Sequence, residues 1–318
     1  MPVSPAAPGR VGGLRRLAAS VVALAGLLAC VGAAAPARAA TVGAGTGSRA
    51  FSDPRPVAIA GYAGSAMEPD ISPDGRDLLF NTSNVPPSVP ALEYSTRSGS
   101  GDFTYRGPVV GADKPGSLSG TPSLDDHGDL YFVSDRQYAT GLATVYAGRF
   151  AAGAVTGVHP VAGVAAPAPG LVDFDVAVSP DGATLYVSVG RFGSGSGPSS
   201  AWLTVYDRVG TGFVPDPGSA RLLRAVDPPG ELDYAASVSA DGRELFFTRA
   251  DPGGGVPRIE RAVRPSVDRP FDRVQPVPAI TGFAEAPSLS RDGTTLFFHQ
   301  RVGDRFVIEQ VTREAPGP

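Results

Sequence analysis

The sequence predicts an all-β fold, a five-bladed β-propeller of four-stranded antiparallel units. Three observations carry this. A turn word recurs five times at a regular interval. Glycine and proline are abundant, at 41 and 32 of 318 residues, which fits many short strands joined by turns. No long amphipathic helical pattern follows the N-terminal segment.

The repeated word sits between two apolar runs. Five segments align: EPDISPDGRDLLF from Glu68, TPSLDDHGDLYFV from Thr121, DVAVSPDGATLYV from Asp175, AASVSADGRELFF from Ala235 and APSLSRDGTTLFF from Ala286. Their glycines, Gly75, Gly128, Gly182, Gly242 and Gly293, lie 53, 54, 60 and 51 residues apart. That period suits a four-stranded propeller blade with generous loops. In SPDG the proline sets φ for the first central position of a type I turn. The aspartate (Asp74, Asp181, Asp241 or Asp292) suits the next, and glycine takes the left-handed position that closes the hairpin. The second repeat departs from the pattern. His127 replaces the aspartate and one residue is missing before Leu130, so the same hairpin with an altered turn is expected there.

Two further strands follow each hairpin. The third strands read ALEYSTR, ATVYAGRF, AWLTVYDRV, RIERAV and FVIEQVTR. Trp202 falls in one of them and is expected in the core. Fourth strands read YRGPVV, VTGVHPVAGV, ARLLRAV and RVQPVPAI. The fifth repeat lacks one, and AFSDPRPVAIAGYAG from Ala50 resembles PFDRVQPVPAITGFAE from Pro270. Residues near Arg55 to Ala60 are therefore expected to complete the last blade, closing the ring and removing an open sheet edge. The repeats run near 68–110, 121–162, 173–226, 233–280 and 285–313 plus 55–60, within one domain from residue 51 to 318.

The N-terminal segment reads as export machinery. Arg10, Arg15 and Arg16 precede an apolar stretch and an Ala37-Arg38-Ala39 site, the pattern of a secretory signal peptide over 1–39. Residues 40–50 read as a flexible leader. Cys30 is the only cysteine. In LLAC it offers a second possibility, a lipoprotein signal that would anchor the chain to a membrane. Otherwise the protein is secreted or extracytoplasmic, and the fold has no disulfide. Cleavage after Ala39 removes four arginines and no acid, leaving 23 basic against 31 acidic residues. That balance argues against nucleic acid and anionic membrane surfaces as partners.

At this point the chain resembles a family. The S-P-D-G-x-x-L-x-F words look like the WD-like propeller repeats of the TolB type, found in exported bacterial proteins. The resemblance covers all five repeats. It implies the fold and an extracytoplasmic place, whereas the motif itself is structural. Propellers of that type often have six blades, and five is a departure.

A propeller lines its central channel with the first strand of each blade. The Asp-Gly turns share one face, and the long, varied loops share the other, where function usually resides. Glu68, Asp173, Asp175, Glu231, Asp233 and Glu285, with Phe174 and Tyr234, fall at the channel mouth on that face. One reading is a site for a cation, a sugar or a basic peptide group. The other is construction, with the acids paired to arginines such as Arg136, Arg191, Arg249 and Arg301.

Other chemistry is sparse. No G-x-S-x-G word occurs. His127, His159 and His299 are scattered and read as surface or edge residues. Asp125, Asp126 and Asp129 crowd one turn, which reads as a solvated hairpin. No cofactor or metal motif is present, and no catalytic residue is assigned. Two functions follow: a monomeric exported scaffold binding a protein, peptide or cell-wall glycan, or a carbohydrate-active enzyme resembling five-bladed furanosidases. The second requires at least two of Glu68, Asp70, Asp175, Asp233 and Glu285 unpaired and facing one cavity. Carboxylates bonded to arginines would mark the first.

Overall fold

The computed structural model describes residues 50–99, 101–192 and 198–315. The predicted signal peptide, Cys30, most of the leader and the Gly193–Gly197 stretch lie outside the described residues.

The described chain is all-β. The first sheet orders β3 (Met67–Ile71), β4 (Asp77–Asn81), β5 (Leu92–Thr96) and β6 (Phe103–Pro108) antiparallel, with β2 (Ile59–Ala60) parallel to β6 at the rim. The second orders β7 (Gly120–Leu124), β8 (Asp129–Gln137), β9 (Ala143–Ala151) and β10 (Ala154–Pro160), with the one-turn helix α1 (Tyr138–Gly141) between β8 and β9. The third holds β11 (Leu171–Val178), β12 (Thr184–Phe192), β13 (Pro198–Val209) and β14 (Gly212–Pro215). Helix α2 (Ser219–Leu222) leads on to a fourth unit, β15 (Leu232–Val238), β16 (Glu244–Ala250), β17 (Arg258–Val263) and β18 (Asp272–Pro276), joined to the third by one parallel pairing of Ala201 with Leu232. In the last sheet β19 (Ala284–Leu289), β20 (Thr295–Val302) and β21 (Arg305–Thr312) are followed at the rim by β1 (Ser52–Pro56).

Two expected strands are corrected. The N-terminal strand on β21 is Ser52–Pro56, with Arg55 opposite Gln310, rather than 55–60. Ile59 and Ala60 cross to the first sheet instead. ARLLRAV is not a fourth strand: it begins in α2 and turns, burying Leu222, Leu223 and Val226. The third sheet takes the short β14 in its place.

The Asp-Gly turns form as the residues dictate. Gly75, Gly182, Gly242 and Gly293 all have φ near +70°, which only glycine adopts freely. The serine that opens each word does more than fill a place. Ser72 Oγ donates to Asp74 Oδ1 (2.7 Å) and accepts the N–H of Asp77 (2.8 Å), while Asp74 accepts the N–H of Arg76 (3.0 Å). Ser179, Ser239 and Ser290 repeat the pattern. In the second repeat Asp125 alone accepts from His127 and Asp129, both at 2.9 Å, which accommodates the missing residue.

The core lies between the sheets. The second strands are buried on both faces, so DLLF, LYFV and ELFF read as continuous apolar runs. One apolar cluster fills each space between neighbouring sheets. Phe132 and Tyr146 pack with Leu79 and Leu92, for example, and Phe297 and Ile308 pack with Leu78 and Phe80. The other three join the second to the third, the third to the fourth and the fourth to the fifth.

The first strands touch in succession, β3 to β7, β11, β15, β19 and back to β3. Two belts of hydrogen bonds tie them. In one, a first-strand side chain accepts the N–H of the next repeat. Asp70 accepts from Leu124, Ser123 from Val178, Ser237 from Leu289 and Ser288 from Ile71, at 3.0–3.1 Å. Ala177 interrupts this belt. In the other, the acceptor stands on the second strand. Asn81 accepts from Thr121, Ser188 from Ala235, Thr248 from Ala286 and His299 from Glu68, at 2.9–3.1 Å. The four donors have φ of 50–55°, a conformation costly for residues other than glycine. Each stands in a bulge of its first strand, which aims its N–H at the neighbouring sheet.

Candidate functional site

The strand order brings the start of every first strand to one cleft. Glu68 and Asp175 occupy the same register position, seven residues before the turn glycine. Both line two connected spaces. One runs toward the Asp-Gly turns and is bordered there by Pro73, Asp126, Pro180 and Arg291. The other opens toward the long loops past Phe174, Tyr234 and Thr121. Glu68 and Asp175 therefore stand where the two spaces meet.

The predicted mouth residues separate into three environments. Asp233 is paired: its Oδ1 accepts from Arg249 Nε at 2.7 Å, and both are buried. Burial still raises its carboxyl to about 6 against the pull of Arg249. Glu285 is bonded to Tyr234 Oη through Oε1 and to His299 Nε2 at 3.1 Å through Oε2. Asp173 is fully buried and its carboxylate oxygens have no hydrogen-bond partner among the described residues. Burial alone raises it to about 7.

Unlike Asp173, Asp233 and Glu285, Glu68 and Asp175 line the cleft. Their carboxylates have no hydrogen-bond or ion-pair partner among the described residues. Burial raises Glu68 to about 7, with His299 pulling down and Glu285 pushing up. Asp175 is pushed well above the usual carboxylate range by burial and then by the charge of Glu68. Asp70, two residues further along β3, accepts from Leu124 at 3.0 Å and is raised to about 8 by burial.

His299 was read as a surface or edge residue and is fully buried. Its Nδ1 accepts the Glu68 N–H, which leaves the proton on Nε2 to donate to Glu285. Burial alone would lower its pKa, but the Glu285 bond and the Glu68 charge outweigh that and raise it. The sequence held a signal for this residue. Asn81, Ser134, Ser188, Thr248 and His299 are polar residues at one position in otherwise apolar second strands.

Of the other predicted partners, Arg136 donates to the Ala112 carbonyl and to Ser134, and Arg301 to the Gly303 carbonyl. The arginines that matter to the turns went unnoticed. Arg97, Arg208, Arg264 and Arg313 each donate Nε to the turn-glycine carbonyl, at 2.6–2.8 Å. Each lies over an aromatic ring: Phe103, Phe213, Phe271 and Phe51, at 4.2–4.6 Å. The turn face is also less uniform than expected, since Arg291 meets Asp126 at 2.7 Å and links the fifth repeat to the second. His127 and His159 are exposed, and Trp202 is half-buried against the core. No group of three or more candidate metal ligands occurs among the described residues, and no described helix is long and apolar enough to cross a membrane.

No family model matches the sequence, and no curated protein matches it. Solved structures do resemble the fold. An endo-arabinase from Bacteroides thetaiotaomicron is 11% identical over 83% of this chain and 97% of its own, with a TM-score of 0.52. An α-L-arabinofuranosidase from Podospora anserina is 13% identical over 85% and 98%, with a TM-score of 0.50. TolB from Acinetobacter baumannii is 15% identical over 80% of this chain, with a TM-score of 0.42, and this chain spans 55% of that protein. The likeness is one of fold, a β-propeller-like arrangement of sheets.

Proposed function

We propose that the chain is an exported five-bladed β-propeller, closed by β1 on β21, that binds its ligand at the long-loop end of the central cleft. The observation that supports this most is the pair Glu68 and Asp175. A scaffold built only for stability gains nothing from two carboxyls, Asp175 buried and Glu68 half-buried, that repel each other and accept no hydrogen bond. The other inner acids are bonded or lie outside the cleft. Perturbed carboxyls lining a cleft are the usual mark of a binding or reacting centre. The β1–β21 pairing, the cyclic contacts of the first strands and the clusters between successive sheets support the five-bladed ring.

A second reading is glycoside hydrolysis. Two of the five candidate carboxyls, Glu68 and Asp175, are unpaired and line one cavity, and that reading needs at least two. Burial pushes Asp175 well above the usual carboxylate range, and Glu68 is raised to about 7. One acid and one base could then share the site.

One experiment separates the readings. The purified protein is titrated with arabino- and xylo-oligosaccharides, peptidoglycan fragments and cationic peptides, and released reducing sugar is followed in parallel. A binding protein holds a ligand without turnover. An enzyme releases sugar and loses at least a hundredfold in rate in Glu68→Gln and Asp175→Asn alike. Binding that both substitutions leave unchanged would remove the cleft from the function.

A further inference from the structure

We propose that the long-loop cavity beside Glu68 and Asp175 receives a primary ammonium group. This rests on the reading that the ligand enters from the long-loop end. The lining atoms left without partners are oxygens, every one of which can accept a hydrogen bond. Besides the two carboxyls, the Oγ1 of Thr121 and the Oδ1 of Asn84 are buried and unbonded. Asp175 is only 6% exposed, yet it lines the cavity without a partner. None of the described residues lining that cavity is basic, and His299, the one imidazole that reaches Glu68, is already bonded to Glu285. An ammonium group brings three donors and one positive charge, and no acceptor. A sugar hydroxyl would bring acceptors of its own to a wall already rich in them.

The rings suit the same group. Phe174 and Tyr234 lie 5.9 Å apart and line the cavity with the carboxyls, and aromatic faces attract cations. The titratable groups facing Glu68 are His299 on β20, Glu285 on β19, Tyr234 on β15 and Asp175 on β11. Tyr234 and His299 are engaged with Glu285, which leaves Glu68 and Asp175 to meet the ligand. An ammonium must compete with the protons these two hold, so its binding tightens as pH rises through the range in which Glu68 titrates.

The test is calorimetric titration of the full chain with n-pentylamine and with Nα-acetyl-lysine methylamide. 1-Pentanol serves as the neutral isostere and arabinobiose as the neutral polyol. At pH 8 both amines should bind at least tenfold more tightly than pentanol, and both should weaken at least tenfold at pH 5.5. Glu68→Gln and Asp175→Asn should each cut amine affinity at least tenfold and flatten the pH dependence, while the thermal melt stays equal or rises. A lysine probe that outbinds pentylamine assigns the group to a peptide side chain, and the reverse assigns it to a free amine. Amine binding equal to that of pentanol, independent of pH, absent, or unchanged in the variants overturns the inference. Arabinobiose binding that is lost in the two variants, without amine binding, would overturn it too, yet would leave the cleft as the binding site.

Discussion

At the scale of single residues, the second-strand position shared by Asn81, Ser188, Thr248 and His299 is the most informative. Each accepts one N–H from the next repeat, and His299 is the member that joins the last repeat to the first. A leucine there would bury the Glu68 N–H without an acceptor. We expect His299→Leu to cost about 1–3 kcal/mol, read by urea denaturation. His299→Asn should cost less, because Asn81 already serves as the acceptor at another joint. Equal losses in the two variants would show that the Glu285 contact, and not the accepted N–H, is what His299 supplies. Among the acids, sequence named Arg249, which pairs with Asp233, but not Tyr234 and His299 as the partners of Glu285. Glu285 faces His299 directly across the β19–β20 hairpin, while Tyr234 reaches it from β15 of the preceding repeat, a contact that local pattern does not show. The serine of SPDG was in view, but its role as acceptor for a residue five further on is a feature of turn geometry rather than of composition.

At the scale of elements, the inner strands were legible and the rim was not. Second strands are buried on both sides and announce themselves as apolar runs. Rim strands face solvent, as in β1, where all five residues are exposed, so their alternation is faint and their ends are blurred by a few residues. ARLLRAV was misread for a related reason. Its buried residues, Leu222, Leu223 and Val226, follow helical spacing, but the segment was fitted to the slot a fourth strand should fill. An N-terminal strand on β21 was legible, three residues late, because a whole phrase recurs, and Phe51 stands just before it. This ring stacks on Arg313 at 4.6 Å and meets Phe246 edge-on at 5.7 Å. Phe51→Ala should destabilise by about 3–5 kcal/mol. Deleting 51–61 should lower the melting temperature further and promote aggregation through the freed edge of β21. Deleting 40–50 should do neither. Equal melting of the two truncations would mean that β1 contributes nothing beyond its own backbone pairing.

At the scale of the whole molecule, the buried carboxyls set how stability depends on pH. Glu68 and Asp173 are raised to about 7, and Asp70 and Asp227 to about 8, each chiefly by burial. In the unfolded chain such groups titrate near 4. Between about pH 4 and pH 8 the folded state therefore binds more protons than the unfolded state, and stability must fall as pH rises. His299, raised in the fold, acts in the same direction, since its contribution is lost as pH climbs through its folded value. The turn aspartates act oppositely at the acid end. Asp74, Asp181 and Asp292 are held low by serine and backbone hydrogen bonds that outweigh their burial, so their contribution disappears below about pH 4. The melting temperature should accordingly peak near pH 5 and decline toward pH 8. Asp173 has no bond to lose, so Asp173→Asn should raise the melting temperature at pH 8, leave it nearly unchanged at pH 5, and flatten the decline between them. A melting temperature that rises from pH 5 to pH 8 would mean that these carboxyls are ionised in the fold and find compensation that their surroundings do not display.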